Sequence, residues 1–110
     1  MDSIVIKSVP KKEIRNKGIG DYKKTKDGLE ILVANSLSEN EQIEVASHEL
    51  VESVLALRRG ISFKKIDAWD RKNINKPGEP GEMKGAPYRK EHLAANKVEN
   101  AVKRALKNRR

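Results

Sequence analysis

Between Ser38 and Gly60 the chain carries one uninterrupted helical pattern, and the rest of the fold has to be arranged to cover it. Ser38 with Glu41 three residues later reads as a capping box, and Leu37 stands where a hydrophobic staple is set. The helix is expected from about residue 39 to Arg59, with Gly60 as its left-handed stop and Arg58 and Arg59 suited to the C-terminal dipole. Ile43, Ala46, Leu50, Val54 and Leu57 form an apolar stripe. Glu41, Glu44, His48 and Glu52 fall roughly opposite, yet Val45, Val51 and Leu55 flank them. A helix apolar round so much of its circumference is covered on more than one side. The face that carries His48 is therefore not an ordinary solvated one.

The covering material is limited. The 110 residues make one domain, 1–110, with a modest core, since apolar and charged residues each make up 36%. The absence of cysteine excludes a disulfide framework, a thiolate zinc site and a cysteine nucleophile. No apolar run reaches the roughly 18 residues of a membrane span, and the N-terminus lacks a signal-peptide pattern. A cytoplasmic protein with no membrane association is the expectation. The net charge of +8 gathers around Lys7 to Lys26 and in Lys97, Lys103, Arg104, Lys107, Arg109 and Arg110. Weak nucleic-acid binding through the basic C-terminus is consistent with this. The four aromatics (Tyr22, Phe63, Trp69, Tyr88) are not interleaved with the basic residues as base-stacking surfaces are, which favours a solvated basic face.

The local signals describe an α+β chain. Residues 1–35 are expected to form a small antiparallel sheet of two or three strands: Ser3–Val9, a weak strand in Asn16–Tyr22, and Leu29–Ala34. Asp27-Gly28 would lie at the tip of a hairpin. The helix of residues 38–59 follows, then a short helix over Ser62 to Asp70 with Phe63, Ile66 and Trp69 on one side. Residues 71–86 form a loop whose stretch from Asn73 to Gly85 is rich in Pro and Gly, a composition and length typical of functional or disordered segments. Pro87 opens a last helix over residues 87–107 with a basic tail.

His48 and Glu52 are four residues apart, so on a helix both reach one ion. Glu49 lies about 100° round from His48, able to stand beside such an ion without binding it. Zinc takes three protein ligands, keeps one position for water and lowers the pKa of that water toward about 7. A neighbouring carboxylate then accepts the proton as water attacks a carbonyl. His48 and Glu52 are thus two candidate ligands and Glu49 the candidate base. The third ligand comes from elsewhere: the only other histidine, His92, ranks first, followed by Glu91, Asp67 and Asp70. On the last helix Glu91 falls at the centre of the stripe of Ala95, Val98 and Val102, while His92 and Glu99 share a face. Glu91 or Glu99 could hold His92 in the required tautomer. Tyr88, one turn before His92, is placed to stabilise a developing oxyanion.

Each of these residues also has a plain structural reading. Both histidines could be polar residues at helix edges, Glu52 could pair with Arg58 or Arg59, and Glu91 gains from the helix dipole. A bundle-type di-metal site drawn from Glu44, His48, Glu52, Glu91, His92 and Glu99 ranks last, because such sites take ligands from four helices and at most three are expected here.

The stretch His48-Glu49-Leu50-Val51-Glu52 resembles the active-site helix of zincin-type metallopeptidases, with glutamate in place of the second histidine. The order of strands, this helix and a final helix is similar to a minimal zincin domain, best over residues 29–59. That resemblance implies His48 as a zinc ligand, Glu49 as base, and a peptide or protein substrate. Gly60-Ile61, Ile66 to Asp70, Glu79-Pro80-Gly81, Ala86-Pro87-Tyr88 and Glu91-His92 also resemble small uncharacterised phage and prophage proteins, over about residues 40–100. Two other readings stay open. One is a basic phage-type accessory protein that binds nucleic acid, whose binding would fall steeply with salt. The other is a catalytically inactive, metal-stabilised interaction module that unfolds on chelation.

Overall fold

The computed structural model describes residues 2–107. Three strands, β1 (Ser3–Val9), β2 (Gly20–Lys24) and β3 (Gly28–Ala34), precede three helices, α1 (Glu39–Arg58), α2 (Phe63–Asn73) and α3 (Arg89–Lys107). Single 3₁₀ turns occupy Lys11–Glu13, Arg15–Lys17 and Pro80–Glu82. The chain is α+β, as its local patterns indicate. Arg109 and Arg110 of the basic tail lie outside the described residues.

The most apolar strand, β3, takes the centre of the sheet in the order β1-β3-β2. Leu29, Ile31 and Val33 are buried on one face, and Leu32 and Ala34 on the other. β2 and β3 pair antiparallel, with Gly20 opposite Val33 and Lys24 opposite Leu29. The expectation of a wholly antiparallel sheet is corrected at β1, which runs parallel to β3 with Ser3 opposite Gly28. The reason is insertion. β1 and β2 run in opposite directions, and β3 enters between them, so it must be parallel to one of the two. The hairpin loop is Thr25 to Asp27, closed by Thr25 N donating to the Gly28 carbonyl at 2.9 Å. Gly28 itself opens β3, where a Cβ would stand 1.8 Å from the Ser3 carbonyl oxygen. Only glycine allows β1 to start so close.

α1 has the ends that its sequence specifies. Glu41 N donates to Ser38 Oγ at 3.2 Å and Ser38 N to Glu41 Oε1 at 3.0 Å, a complete capping box. At the other end Ile61 N donates to the Ala56 carbonyl and Gly60 N to that of Leu57, both at 3.0 Å, with Gly60 at φ 76°. This is a Schellman stop. Leu37 packs on the far side of the sheet with Ile14, Leu32 and Ala34.

The main core lies between the sheet and the helices: Tyr22, Leu29 and Ile31 from the sheet meet Ala56, Ile61, Ile66 and Tyr88. α3 packs along α1. This pairing covers the α1 face that carries His48, and His48 and Glu52 are both buried. No described helix is long and apolar enough to cross a membrane.

Candidate metal centre

α1 presents His48 and Glu52 one turn apart, and α3, lying against it, brings in His92. One carboxylate oxygen joins them: Glu52 Oε2 is 3.1 Å from His48 Nε2 and 2.7 Å from His92 Nδ1. The imidazole rings meet edge to face with centroids 4.8 Å apart. One donor atom from each of the three residues lies within 4.8 Å of the others. Ligands placed tetrahedrally about 2.0–2.1 Å from a zinc ion sit roughly 3.3 Å from one another. The two measured contacts, 3.1 and 2.7 Å, fall short of that spacing by about 0.2 and about 0.6 Å. The buried His48–Glu52–His92 group could therefore hold a metal ion.

Each histidine has a carboxylate on its other nitrogen. His92 Nε2 lies 2.8 Å from Glu79 Oε2, with Glu82 Oε1 further off at 3.8 Å. His48 Nδ1 lies 2.9 Å from Glu99 Oε1, though off the line of a hydrogen bond. A histidine that binds metal through one nitrogen usually gives its other N–H to such a carboxylate, which fixes tautomer and ring orientation. Glu99 is thus beside His48 rather than His92, and the carboxylate behind His92 comes from the loop between α2 and α3.

That loop is folded onto the site. Trp69 Nε1 donates to the Pro80 carbonyl at 2.8 Å, and Arg89 Nε to that of Glu82 at 2.9 Å. Gly81 lies against the His92 ring, where a Cβ would approach ring atoms to 2.6 Å. Glycine is required by this close approach. Glu79, Glu82 and Gly81 were not among the sequence candidates. Two acids in an otherwise Pro/Gly-rich loop, just before a helix containing histidine, were the available signal.

A cleft of about 420 Å³ opens beside the cluster, lined by His48, Glu49, Glu52, Tyr22, Tyr88 and Asp70 among others. Glu49 is half-buried in its wall, its side chain laid against Gly20 of β2. Tyr88 is buried, and its hydroxyl donates to Asp70 Oδ1.

Two candidate ligands are committed elsewhere. Glu91 is gripped by Arg59 through Nε and Nη2, both at 2.7 Å, so its place in an apolar stripe reflects an ion pair between buried Glu91 on α3 and exposed Arg59 at the end of α1. Asp67 accepts from Arg15 Nη1 at 2.6 Å and Asn16 Nδ2 at 3.1 Å, and Arg71 Nε is 3.1 Å away. With Glu91 held by Arg59, the six residues of a bundle-type di-metal site do not converge.

The electrostatics follow from this packing. Burial works against a charged His92, but hydrogen bonds to Glu52 and Glu79 and the charges of both outweigh it and push the ring up to about 10. Burial likewise opposes ionised Glu52, and the two histidines overcome it, holding the carboxyl below its usual range. Glu49 lies well above that range because it is desolvated and faces the Glu52 charge. Asp70 is raised to about 6 by burial, with Tyr88 pulling it down and Glu52 pushing it up.

No protein-family model, curated protein or solved structure matches this chain, so the meaning of the site rests on its own geometry.

Proposed function

We propose that this protein is a zincin-like hydrolase domain that holds zinc between His48, Glu52 and His92 and cleaves peptide or related amide bonds. The observation that carries the reading is the convergence of two histidines from separate helices on one buried carboxylate oxygen, each with a further carboxylate at its remaining nitrogen. For a purely structural pair of helices, burying two imidazoles and several acids together carries a desolvation cost that an apolar contact would avoid.

Zinc in this position supplies Lewis acidity that acidifies water and polarises a carbonyl. Glu79 and Glu99 orient the histidines. Glu49, next to His48 in the chain and in the wall of the cleft, accepts the proton of the attacking water at its carboxylate. It then returns that proton to the departing amine. Desolvation favours this role, because a carboxyl raised above its usual range holds a proton long enough to pass it on.

The test is elemental analysis of untagged protein beside His48→Ala and His92→Ala, followed by a peptidase screen with Glu49→Gln as control. About one zinc per chain, lost in both variants, with turnover that Glu49→Gln abolishes, is the expected result. No metal in the native protein and no thermal shift on adding zinc would overturn the reading.

A further inference from the structure

Among the described residues, the buried side-chain polar atoms without a hydrogen-bond partner are His48 Nδ1 and the Tyr22 hydroxyl. His48 Nδ1 has the Glu99 carboxylate 2.9 Å away. Tyr22 makes no hydrogen bond through its hydroxyl to any of the carboxylates around it. Its ring belongs to the main core and meets Phe63 edge to face, with centroids 6.3 Å apart. The residue is only 6% exposed, and its hydroxyl is buried with it.

A buried hydroxyl left unpaired lowers stability, and phenylalanine would fill the same space without that loss. The position becomes intelligible from what surrounds it. Tyr22 lines the cleft together with His48, Glu49, Glu52 and His92. Burial first, then the negative charges of Glu52, Glu49, Asp70 and Asp21, raise the phenol and keep it protonated. It is a donor without an acceptor, carried by a residue of the cleft wall that also holds the candidate base and ligands. The tyrosine singled out from the sequence, Tyr88, is engaged with Asp70 instead.

We propose that Tyr22 is the substrate-facing phenol of this site, donating its hydrogen bond to the oxygen of a bound carbonyl compound. The ligand class is an amide or a hydroxamate, whose carbonyl oxygen is an acceptor of the required kind. Tyr22 then holds that oxygen as charge develops on it, from the sheet side of the cleft, opposite the two helices. This assignment rests on the metal reading above, since the ion fixes where the carbonyl sits.

The experiment uses acetohydroxamate as the probe, with zinc content measured in the same samples. Zinc-loaded Tyr22→Phe is expected to bind acetohydroxamate about ten-fold more weakly than the native protein. Zinc content stays equal in the two. In the metal-free state Tyr22→Phe is expected to melt at or above the native temperature, because no partner loses a bond. Equal probe affinity at equal zinc content would overturn the Tyr22 assignment alone, as would a lower melting temperature of the metal-free variant. Weakened probe binding in Tyr88→Phe but not in Tyr22→Phe would return the role to Tyr88. Absence of zinc from the native protein would overturn the metal reading, and this assignment with it.

Discussion

His92 Nε2 and Glu79 Oε2 lie 2.8 Å apart, joining α3 to a loop residue thirteen positions earlier in the chain. The Glu79 side chain is 63% exposed, so it does little for the core, but it fixes the ring of a buried histidine. Glu79→Ala is expected to weaken zinc binding by about 10-fold to 100-fold while the fold is retained. Competition against a chromogenic chelator measures this. Loss of zinc stoichiometry, rather than of affinity, would make Glu79 a ligand in its own right.

On the proposed metal reading, metal and proton compete for His92. Its folded pKa, about 10 against an ordinary 6.5, means that zinc must displace a proton at neutral pH. Zinc affinity is expected to rise about ten-fold per pH unit up to that value, with about one proton released per zinc from this ring. Calorimetry in buffers of different ionisation enthalpy counts that proton. The metal-free protein behaves in the opposite sense. A proton held more tightly in the folded ring than in the unfolded chain stabilises the fold fully below about pH 6.5, and this contribution fades as pH climbs through about 10. Thermal melts of metal-free protein from pH 6 to 10 should fall, and His92→Gln should flatten the trend.

Gly81 is where the loop rests on His92, and a Cβ there would come within 2.6 Å of the ring. Gly81→Ala is expected to destabilise the protein by about 1–3 kcal/mol through overpacking. Zinc affinity should fall with it, because the ring and Glu79 are pushed apart. Gly78→Ala, at a position with open space but φ 85°, should cost stability without touching zinc affinity. Chemical denaturation and zinc competition on the same two variants separate the effects.

Arg59 and Glu91 brace the junction of α1 and α3 with paired hydrogen bonds. Arg59→Ala is expected to lower the melting temperature and leave zinc content unchanged. A loss of zinc in Glu91→Gln, beyond what its stability change explains, would bring Glu91 back as a ligand.

What could be read from the sequence depended on whether the information was local. The ends of α1 are written in Ser38, Glu41 and Gly60, and once that helix is given, the alignment of His48 with Glu52 follows from its pitch. His92 was reachable because the chain has only two histidines. The direction of β1 was not, since nothing in Ser3–Val9 records that β3 will slide between it and β2. Glu79 and Glu82 lack periodicity, and their loop is shaped by Trp69 and Arg89, which lie outside it. Glu91 was misplaced among the candidate ligands because its partner, Arg59, lies thirty-two residues away. Tyr22 carried no mark at all, because an unpaired hydroxyl becomes visible only when every neighbour has been placed.

Glu52 meets His92 across forty residues of chain, so whatever cation occupies that junction fastens two distant helices together. A proton on His92 does this in the metal-free protein, and a bound ion would do it in exchange for that proton. In a chain without cysteine, such an exchange would make the junction a removable clasp. The fold would pass from one fastening to the other without leaving the Glu52 carboxylate alone.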